Sequence, residues 1–231
     1  MERLDKILSN MGFGTRRDVK KLIKTGAVKI DGVIEKLPDR KLDPAVNILT
    51  VYDKPVVYKR FIYLMLNKPE GYISATADAN LPTVLDLVPE EYLHYAPFPV
   101  GRLDIDTEGL LILTNDGQLA HNALLPKKRI SKVYYAEVAR AVTDDDIKLF
   151  ESGMDLGDFT AMPAKIEPFS DGYFVTICEG KFHQVKRMFE KTGNAVTYLK
   201  RVKMGGIALD TNLAAGEIKE LTQEEIEKLW T

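Results

Sequence analysis

Cysteine and histidine are scarce in this sequence, which has one cysteine and three histidines among its 231 residues. Cys178 stands alone and cannot form an internal disulfide, and its place in an apolar, strand-like run favours a small buried side chain. His94, His121 and His183 are widely separated and form no pattern of metal ligands. We therefore expect no metal site.

Long apolar runs are also absent, because no stretch approaches the roughly 20 residues that a membrane-spanning helix needs. The first residues, MERLDKIL, lack the uninterrupted apolar stretch of a signal peptide. No phosphate-binding loop of the G-x-x-x-x-G-K-[ST] type is present, so a metal- or nucleotide-dependent enzyme has no support. We expect a cytoplasmic protein with no membrane partner.

The charge is nearly balanced overall, at −2, but it is unevenly distributed along the chain. Residues 1–58 contain 12 Lys/Arg against 8 Asp/Glu, whereas acidic side chains outnumber basic ones in the remainder. The small net charge argues against a protein that coats nucleic acid indiscriminately. The basic amino-terminal part is compatible with a local contact to nucleic acid.

The amino-terminal segment predicts two short helices followed by a hairpin. Apolar residues recur at helical spacing within residues 4–11, and glycines then interrupt the pattern. Thr15, with Asp18 three residues later, predicts the capped start of a second helix. The Asp-Gly pair at residues 31–32, between alternating apolar and polar residues, predicts a two-residue hairpin turn.

The second predicted helix carries a basic face, which by charge alone could be merely solvated. The segment from RLDKIL to VKIDG resembles the S4 RNA-binding domain, a helix-turn-helix followed by a short hairpin. Phosphate attraction is the main source of affinity in such modules. The resemblance implies that RNA phosphates contact Arg3, Arg16, Arg17, Lys20 and Lys24.

A domain boundary is expected near residues 54–61, which separate the basic unit from a new apolar strand. We expect an S4 domain over residues 1–58 and a catalytic domain over residues 59–231. The larger part alternates strand-like runs with helix-like segments. This pattern predicts an α+β fold with a mixed, mainly antiparallel sheet flanked by helices.

The densest local signal lies at residues 100–117, where a loop with two carboxylates, Asp104 and Asp106, leads into an apolar strand. Such loops often carry catalytic groups, but Asp also forms turns, and the residues alone leave both interpretations open. The pattern G-R-L-D-x-x-T-x-G-L-L resembles the signature of RsuA-type pseudouridine synthases. The resemblance implies that Asp104, directly after Arg-Leu, is the catalytic carboxylate.

Other segments carry the same resemblance, which covers essentially the whole chain. Residues 65–76 are similar to a first family motif that supports the active-site cleft. Lys132 and Tyr134 match a Lys-x-Tyr element, and residues 180–188, GKFHQVKRM, match a basic motif. The family acts without a cofactor, so the resemblance implies none here.

The reaction implied by the family explains why these residue types are needed. Exchanging the bond from ribose to N1 of uracil for a bond to C5 requires a group that attacks carbon or removes a proton, and a carboxylate can do both. Lys186, where many relatives have Arg, is implied as the cation that holds Asp104 ionised. Tyr134 is implied as the ring on which the extruded uracil stacks. Substrate-binding roles follow for Arg102, Lys132 and Arg187.

Without the resemblance, several of these residues have ordinary structural interpretations. Lys186 and Arg187 could be surface charges of an amphipathic helix, and Tyr134 could be a core aromatic residue. Two cationic runs, at residues 127–129 and 200–203, could be solvated or could follow the RNA backbone.

The sequence thus predicts a monomeric pseudouridine synthase that isomerises one uridine in 16S ribosomal RNA, with Asp104 essential and ribosomal RNA as its partner. The His-Gln pair of the basic motif favours the small-subunit branch of the family. Two alternatives remain: the same reaction on 23S ribosomal RNA, and a non-catalytic RNA-binding factor of ribosome assembly.

Overall fold

A computed structural model describes all 231 residues, which divide into two compact units. The first unit comprises Met1–Ile62 and Pro89–Ala96, and the second comprises Tyr63–Val88 and Pro97–Thr231. The short second segment of the first unit falls within the part of the chain that the sequence assigns to the larger domain. No helix in the structure has the length and apolar character needed to span a membrane.

The first unit contains three helices and six short strands. In chain order its elements are β1 (Glu2–Arg3), α1 (Leu4–Asn10), α2 (Arg16–Lys24), β2 (Val28–Ile30), β3 (Val33–Ile34), β4 (Lys41–Leu42), β5 (Leu49–Val51), β6 (Lys54–Pro55) and α3 (Glu90–Leu93). Strands β3, β2, β5 and β6 form an antiparallel sheet in that order, and β1 pairs with β4. The apolar faces of α1 and α2 bury a core against β2, β4 and β5.

Local sequence signals determine where these elements begin and turn. The Thr15 hydroxyl accepts a hydrogen bond from the Asp18 backbone N–H, and the Asp18 carboxylate accepts one from the Thr15 N–H, which confirms the predicted cap of α2. Asp31 and Gly32 have φ angles of 51° and 82°, as a tight turn between β2 and β3 requires. The predicted hairpin is therefore also confirmed.

The second unit contains one large sheet with helices packed beside it. Its elements are β7 (Tyr63–Lys68), β8 (Phe98–Pro99), β9 (Glu108–Thr114), α4 (Gly117–Leu124), β10 (Lys132–Val138), α5 (Asp144–Ser152), β11 (Met154–Asp155), β12 (Thr160–Ala161), β13 (Lys165–Phe169), β14 (Gly172–Ile177), α6 (Gln184–Lys191), β15 (Val196–Met204), β16 (Ile207–Ala208), β17 (Ile218–Glu220) and α7 (Gln223–Glu227). Three short 3₁₀ helices lie at Val84–Leu87, Pro126–Lys128 and Lys228–Trp230.

The large sheet has nine strands, in the order β13-β14-β10-β15-β9-β7-β17, with β8 added to β9 and β16 to β15. Strand β15 runs parallel to β9, and the other pairings in this sheet are antiparallel. The predicted α+β fold with a mixed, mainly antiparallel sheet is confirmed. The parallel pairing joins two antiparallel halves of the sheet.

Two strands at the edges of this sheet were not anticipated from the sequence. Strand β13 buries Ile166 while its other side chains are exposed, and it contains Pro168, which edge strands tolerate. Strand β17 has three half-buried residues and pairs with β7 alone. Both strands owe their conformation to the neighbouring strand, because their own apolar pattern is too weak to predict it.

The parallel pairing places the residues around Gly109 in close contact with β15. Arg201 of β15 pairs with Gly109 of β9 on one side of the strand and with Tyr134 of β10 on the other side. Gly109 has a φ of +98°, and a Cβ atom there would lie 2.3 Å from the carbonyl oxygen of Arg201. The close approach of the two strands therefore requires glycine at this position.

Replacing Gly109 with alanine tests this requirement. We expect Gly109→Ala to lower the free energy of unfolding by roughly 3 kcal/mol, because backbone overpacking adds to the strain of a positive φ. Gly157 is a matched control, since its φ is +97° and no atom lies within 4 Å of an added Cβ. Gly157→Ala should cost about 1 kcal/mol. Equal losses in denaturant titrations of the two variants would contradict the close-approach argument.

Candidate active site

A cavity of about 830 Å³ opens in the second unit, where the parallel strands β9 and β15 meet. Its wall is formed by the loop that precedes β9, the start of β10, residues 177–185 and part of β15. Pockets for small organic ligands typically measure about 300–1,000 Å³. The cavity is therefore large enough to receive a single nucleoside.

Asp104 lies in the wall of this cavity, in the loop between β8 and β9, and its side chain is 27% exposed. Two basic side chains approach its carboxylate. Lys186 Nζ lies 3.8 Å from one oxygen, and His183 Nε2 lies 3.6 Å from the other. Both residues come from the start of α6, so this part of the chain positions an ammonium and an imidazole beside a partly solvated carboxylate. The Lys186 ammonium stabilises negative charge on Asp104.

Lys186 makes its shorter contact with Asp106, whose Oδ1 lies 2.5 Å from Nζ. Burial raises the pKa of Asp106, but the hydrogen bond and the charge of Lys186 outweigh this effect and hold the pKa below its usual value. Lys186 therefore bridges two carboxylates, and Asp104 is the more distant of them. Asp106 itself does not line the large cavity.

Tyr134, Lys132 and Arg201 line the cavity from the adjoining strands β10 and β15. Their relative exposures are 7%, 7% and 2%, so all three are buried. Burial, together with the nearby Arg201 charge, lowers the pKa of Lys132 to about 8. Lys132 Nζ donates a hydrogen bond to the carbonyl oxygen of Ile130 at 3.3 Å. Two buried basic side chains thus line the cavity together with Tyr134.

A fully buried lysine, Lys68, holds the Asp104 loop in its conformation. Its ammonium donates hydrogen bonds to the carbonyl oxygens of Pro69, Ile105 and Thr107 at 3.0, 3.2 and 2.9 Å. Burial lowers the pKa of Lys68 to about 8. Because Ile105 and Thr107 follow Asp104 closely, this lysine anchors the loop to the end of β7.

Other residues of the 65–76 segment also hold the loop. Ser74 Oγ donates to the Leu103 carbonyl oxygen at 2.9 Å and accepts from the Leu103 N–H at 2.9 Å. The Gly71 N–H donates to the Ile105 carbonyl oxygen at 2.8 Å. The segment therefore supports Asp104 through backbone contacts on both of its sides.

The two remaining predicted substrate contacts of this unit, Arg102 and Arg187, differ in their position relative to the cavity. Arg102 is exposed and lines the cavity. Arg187 does not line it: the guanidinium is ion-paired with Asp158, donates to the Leu156 carbonyl oxygen at 2.8 Å and stacks over the Phe159 ring at 5.0 Å. These contacts direct Arg187 toward the segment around β11 and β12 and away from Asp104.

The predicted RNA contacts of the first unit also differ from one another. Arg16, Arg17, Lys20 and Lys24 are all exposed on α2. Arg3 instead donates two hydrogen bonds, of 3.0 and 2.9 Å, to the buried carboxylate of Asp5. Hydrogen bonding from Arg3 holds the pKa of Asp5 below its usual value. Arg3 therefore stabilises the domain, and α2 presents the accessible cations.

Sequence reasoning missed several residues at the site. The sequence places His183 in the basic motif but predicts no contact between it and Asp104, and it gives Lys68 of the first motif no role. The sequence leaves Arg201 as either a solvated cation or a contact to the RNA backbone, whereas the structure buries it to 2% exposure. Cys178 was expected to be buried, but it is partly exposed and lines the cavity. Position within a motif could have indicated Lys68 and His183; the burial of Arg201 depends on strand pairing.

Comparison with known proteins identifies the class to which this fold and cavity belong. Residues 62–191 match the family model of RNA pseudouridylate synthases, and residues 2–48 match that of the S4 domain. The chain belongs to the RNA pseudouridine synthase family and carries an S4 domain at its amino terminus. The family membership predicted from the signature motifs is therefore confirmed.

Several proteins of this family are similar to the chain over nearly its whole length. An RNA pseudouridine synthase of Bacillus subtilis, YtzG, is 48% identical over 233 residues, covering 98% of each chain. Ribosomal small subunit pseudouridine synthase A of Escherichia coli is 40% identical over 230 residues, covering 97% of this chain and 98% of the relative. A crystal structure of a pseudouridylate synthase, 38% identical, aligns with a TM-score of 0.70 over 99% of this chain and 100% of the other.

Removing the Lys68 ammonium tests its role in holding the loop. We expect Lys68→Met to lower the free energy of unfolding by roughly 3 kcal/mol, because three buried carbonyl oxygens lose their donor. Turnover should also fall, since the Asp104 loop loses an anchor. Lys165→Met, which removes an exposed lysine of the same unit, should leave both quantities nearly unchanged. Unaltered stability of Lys68→Met in denaturant titrations would refute the anchoring role.

Lys68 also predicts a dependence of stability on pH. Its pKa is about 8 in the folded protein and 10.5 in the reference state, so the unfolded chain binds more protons between these values. The penalty for burying the charge is complete below pH 8 and is relieved as pH rises. Between about pH 8 and pH 10, wild type should therefore gain stability relative to Lys68→Met. A difference that stays constant or shrinks over this range would contradict the shift.

Proposed function

We propose that this chain converts one uridine of 16S ribosomal RNA to pseudouridine without a cofactor, with Asp104 as the reacting carboxylate. The observation that carries this proposal is the position of Asp104 in the wall of a nucleoside-sized cavity, together with the buried Tyr134 ring and the Lys186 ammonium. These groups supply a carboxylate, a stacking surface and a compensating cation.

Reaction at C5 of a uracil requires that the base leave its RNA stack. Tyr134 has a rigid position on β10 and offers a ring on which an extruded base can stack. Stacking on an aromatic side chain contributes about 1–3 kcal/mol per base, which offsets part of the cost of extrusion. Tyr134 therefore holds the base, and Asp104 acts on the nucleotide.

The charges of the cavity favour an anionic polymer. Two carboxylates line it, those of Asp104 and Glu179. Four cations also line it: Arg102, Lys132, Lys181 and Arg201. An excess of positive charge attracts the phosphates on either side of the extruded nucleotide. Arg102 and Lys181, which are exposed, are positioned to contact these phosphates.

The chemistry exchanges one bond to the ribose for another. The bond between N1 and C1′ breaks, the uracil ring turns within the cavity, and C5 bonds to C1′. The hydrogen on C5 is lost and N1 acquires one, so the product is an isomer of the substrate. An ionised carboxylate can begin this exchange by attacking carbon or removing a proton, and Lys186 stabilises its charge.

The choice of RNA rests on the relatives. Proteins named ribosomal small subunit pseudouridine synthase A, from Escherichia coli and from Vibrio cholerae, are 40% and 37% identical to this chain. Their names refer to the small subunit, and the near-complete coverage extends the likeness to both parts of the chain. This likeness favours 16S over 23S ribosomal RNA.

The amino-terminal part supplies a second contact to the same RNA. We propose residues 1–58 as the RNA-binding domain and residues 59–231 as the catalytic domain of a cytoplasmic monomer. The exposed cations of α2 neutralise phosphates, so binding should weaken steeply as salt concentration rises. Sequence-independent attraction of this kind positions the RNA while the cavity selects the base.

Mapping of pseudouridine in ribosomal RNA tests the proposal. Purified wild type, incubated with 16S RNA or with small-subunit assembly intermediates and no added cofactor, should create one new pseudouridine. Asp104→Asn should create none, because an amide cannot supply the charge of the carboxylate. Binding of the RNA by Asp104→Asn, measured separately, should be retained.

Other outcomes of the mapping distinguish the alternatives. A new site in 23S RNA and none in 16S RNA would keep the reaction and refute the proposed substrate. RNA binding without a new site in either RNA would refute catalysis and favour a binding factor. A site formed equally by wild type and Asp104→Asn would refute the role of Asp104.

A further inference from the structure

Arg201 is a buried cation whose hydrogen-bonding capacity is largely unused within the protein. The residue is 2% exposed, and its Nε donates to the Leu110 carbonyl oxygen at 2.8 Å. Its Nη2 is buried and has no hydrogen-bond partner. Burying a guanidinium without an anion and with unsatisfied N–H groups is costly. A cation of this kind in a cavity wall fits a site that a ligand completes.

Arg201 also lies beside the ring on which the base is proposed to stack. Strand pairing places Arg201 opposite Tyr134, and side chains of such pairs have Cβ atoms about 4.5–5.5 Å apart. Both residues line the cavity. A base stacked on Tyr134 would therefore lie next to the guanidinium.

We propose that Arg201 recognises the uracil base by donating hydrogen bonds to one of its ring carbonyl oxygens. The same contact stabilises the negative charge that the ring carries when it separates from ribose. This inference rests on the proposed function and adds a substrate-contacting residue that the signature motifs do not include.

The chemistry of the bond exchange explains why a cation is useful at this position. When the N1–C1′ bond breaks, its electron pair stays with the uracil ring and is shared with the carbonyl oxygens. A preorganised donor that faces developing charge contributes more in a water-excluded site than in solution. After C5 bonds to C1′, the C5 hydrogen is lost and N1 takes up a proton, which neutralises the ring.

The position of Arg201 favours the base over a phosphate as its ligand. Phosphates of an extruded nucleotide remain connected to the RNA outside the cavity, where Arg102 and Lys181 are exposed. Arg201 lies deeper, beside the buried residues Tyr134 and Lys132. Its planar donor group suits a carbonyl oxygen in the plane of a base.

Sulfur substitution in the substrate tests the contact directly. An RNA fragment spanning the mapped site is prepared with uridine, 2-thiouridine or 4-thiouridine at the target, because sulfur accepts hydrogen bonds less well than oxygen. We expect wild type to react at least about tenfold more slowly with one of the two thio substrates, as loss of a charged hydrogen bond predicts. Arg201→Met should react about 100-fold more slowly with uridine and show little further loss with that thio substrate.

Controls separate contact with the base from a structural role. Thermal melting establishes folding, and Arg201→Lys, which keeps a charge, provides a second variant in case Arg201→Met does not fold. Arg201→Lys should show a smaller thio effect than wild type. Lys148→Met, which removes an exposed cation, should retain the full thio effect.

Two kinds of result would contradict the inference, and they can be told apart. A full thio effect in a folded Arg201 variant, or no effect of either thio substrate in wild type, would overturn the role of Arg201. Failure of wild type to convert the unmodified uridine would overturn the proposed function itself, and the inference with it.

Discussion

The close parallel contact of β9 with β15 is the constraint on which the site depends. Gly109 allows the two backbones to approach, because any Cβ there would collide with the Arg201 carbonyl oxygen. The contact joins two antiparallel halves of one sheet. It also brings the loop that precedes β9, with Asp104, to the strands that carry Tyr134 and Arg201. Gly109 of the signature motif is thus required by strand packing, which is separate from the chemistry of Asp104 in the same motif.

Buried positive charge is the second feature that shapes the site. Lys68, Lys132 and Arg201 are all buried, with exposures of 7% or less, and none of them has an ion-pair partner in the protein. Lys68 is compensated by three carbonyl oxygens, whereas Lys132 and Arg201 are each bonded to one. Lys68 therefore holds the loop, whereas Lys132 and Arg201 keep donors available to a ligand. For Lys132 and Arg201, well-packed apolar residues would suit the fold alone better, so these two cations are best explained by what enters the cavity.

Sequence reasoning succeeded where a local pattern determines the structure. The cap at Thr15, the turn at Gly32 and the apolar central strands followed from spacing and residue type. The family motif singled out Asp104 from Asp106, which spacing could not do. The burial of Arg201 was missed because it depends on pairing between strands that are distant in sequence. The shorter contact of Lys186 with Asp106 was missed because side-chain geometry decides which carboxylate is nearer.

The two carboxylates of the loop allow the central claim to be tested within one structural element. The measurement is single-turnover release of tritium from C5 of uridine in labelled 16S RNA, comparing wild type, Asp104→Asn and Asp106→Asn. Formation of the bond from C5 to C1′ displaces this hydrogen, so its release reports the chemistry itself. The account predicts no release by Asp104→Asn and release by Asp106→Asn within about tenfold of the wild-type rate, since Asp106 is outside the cavity and loses only its contact to Lys186. Release by Asp104→Asn at the wild-type rate, or its loss in Asp106→Asn alone, would contradict the account.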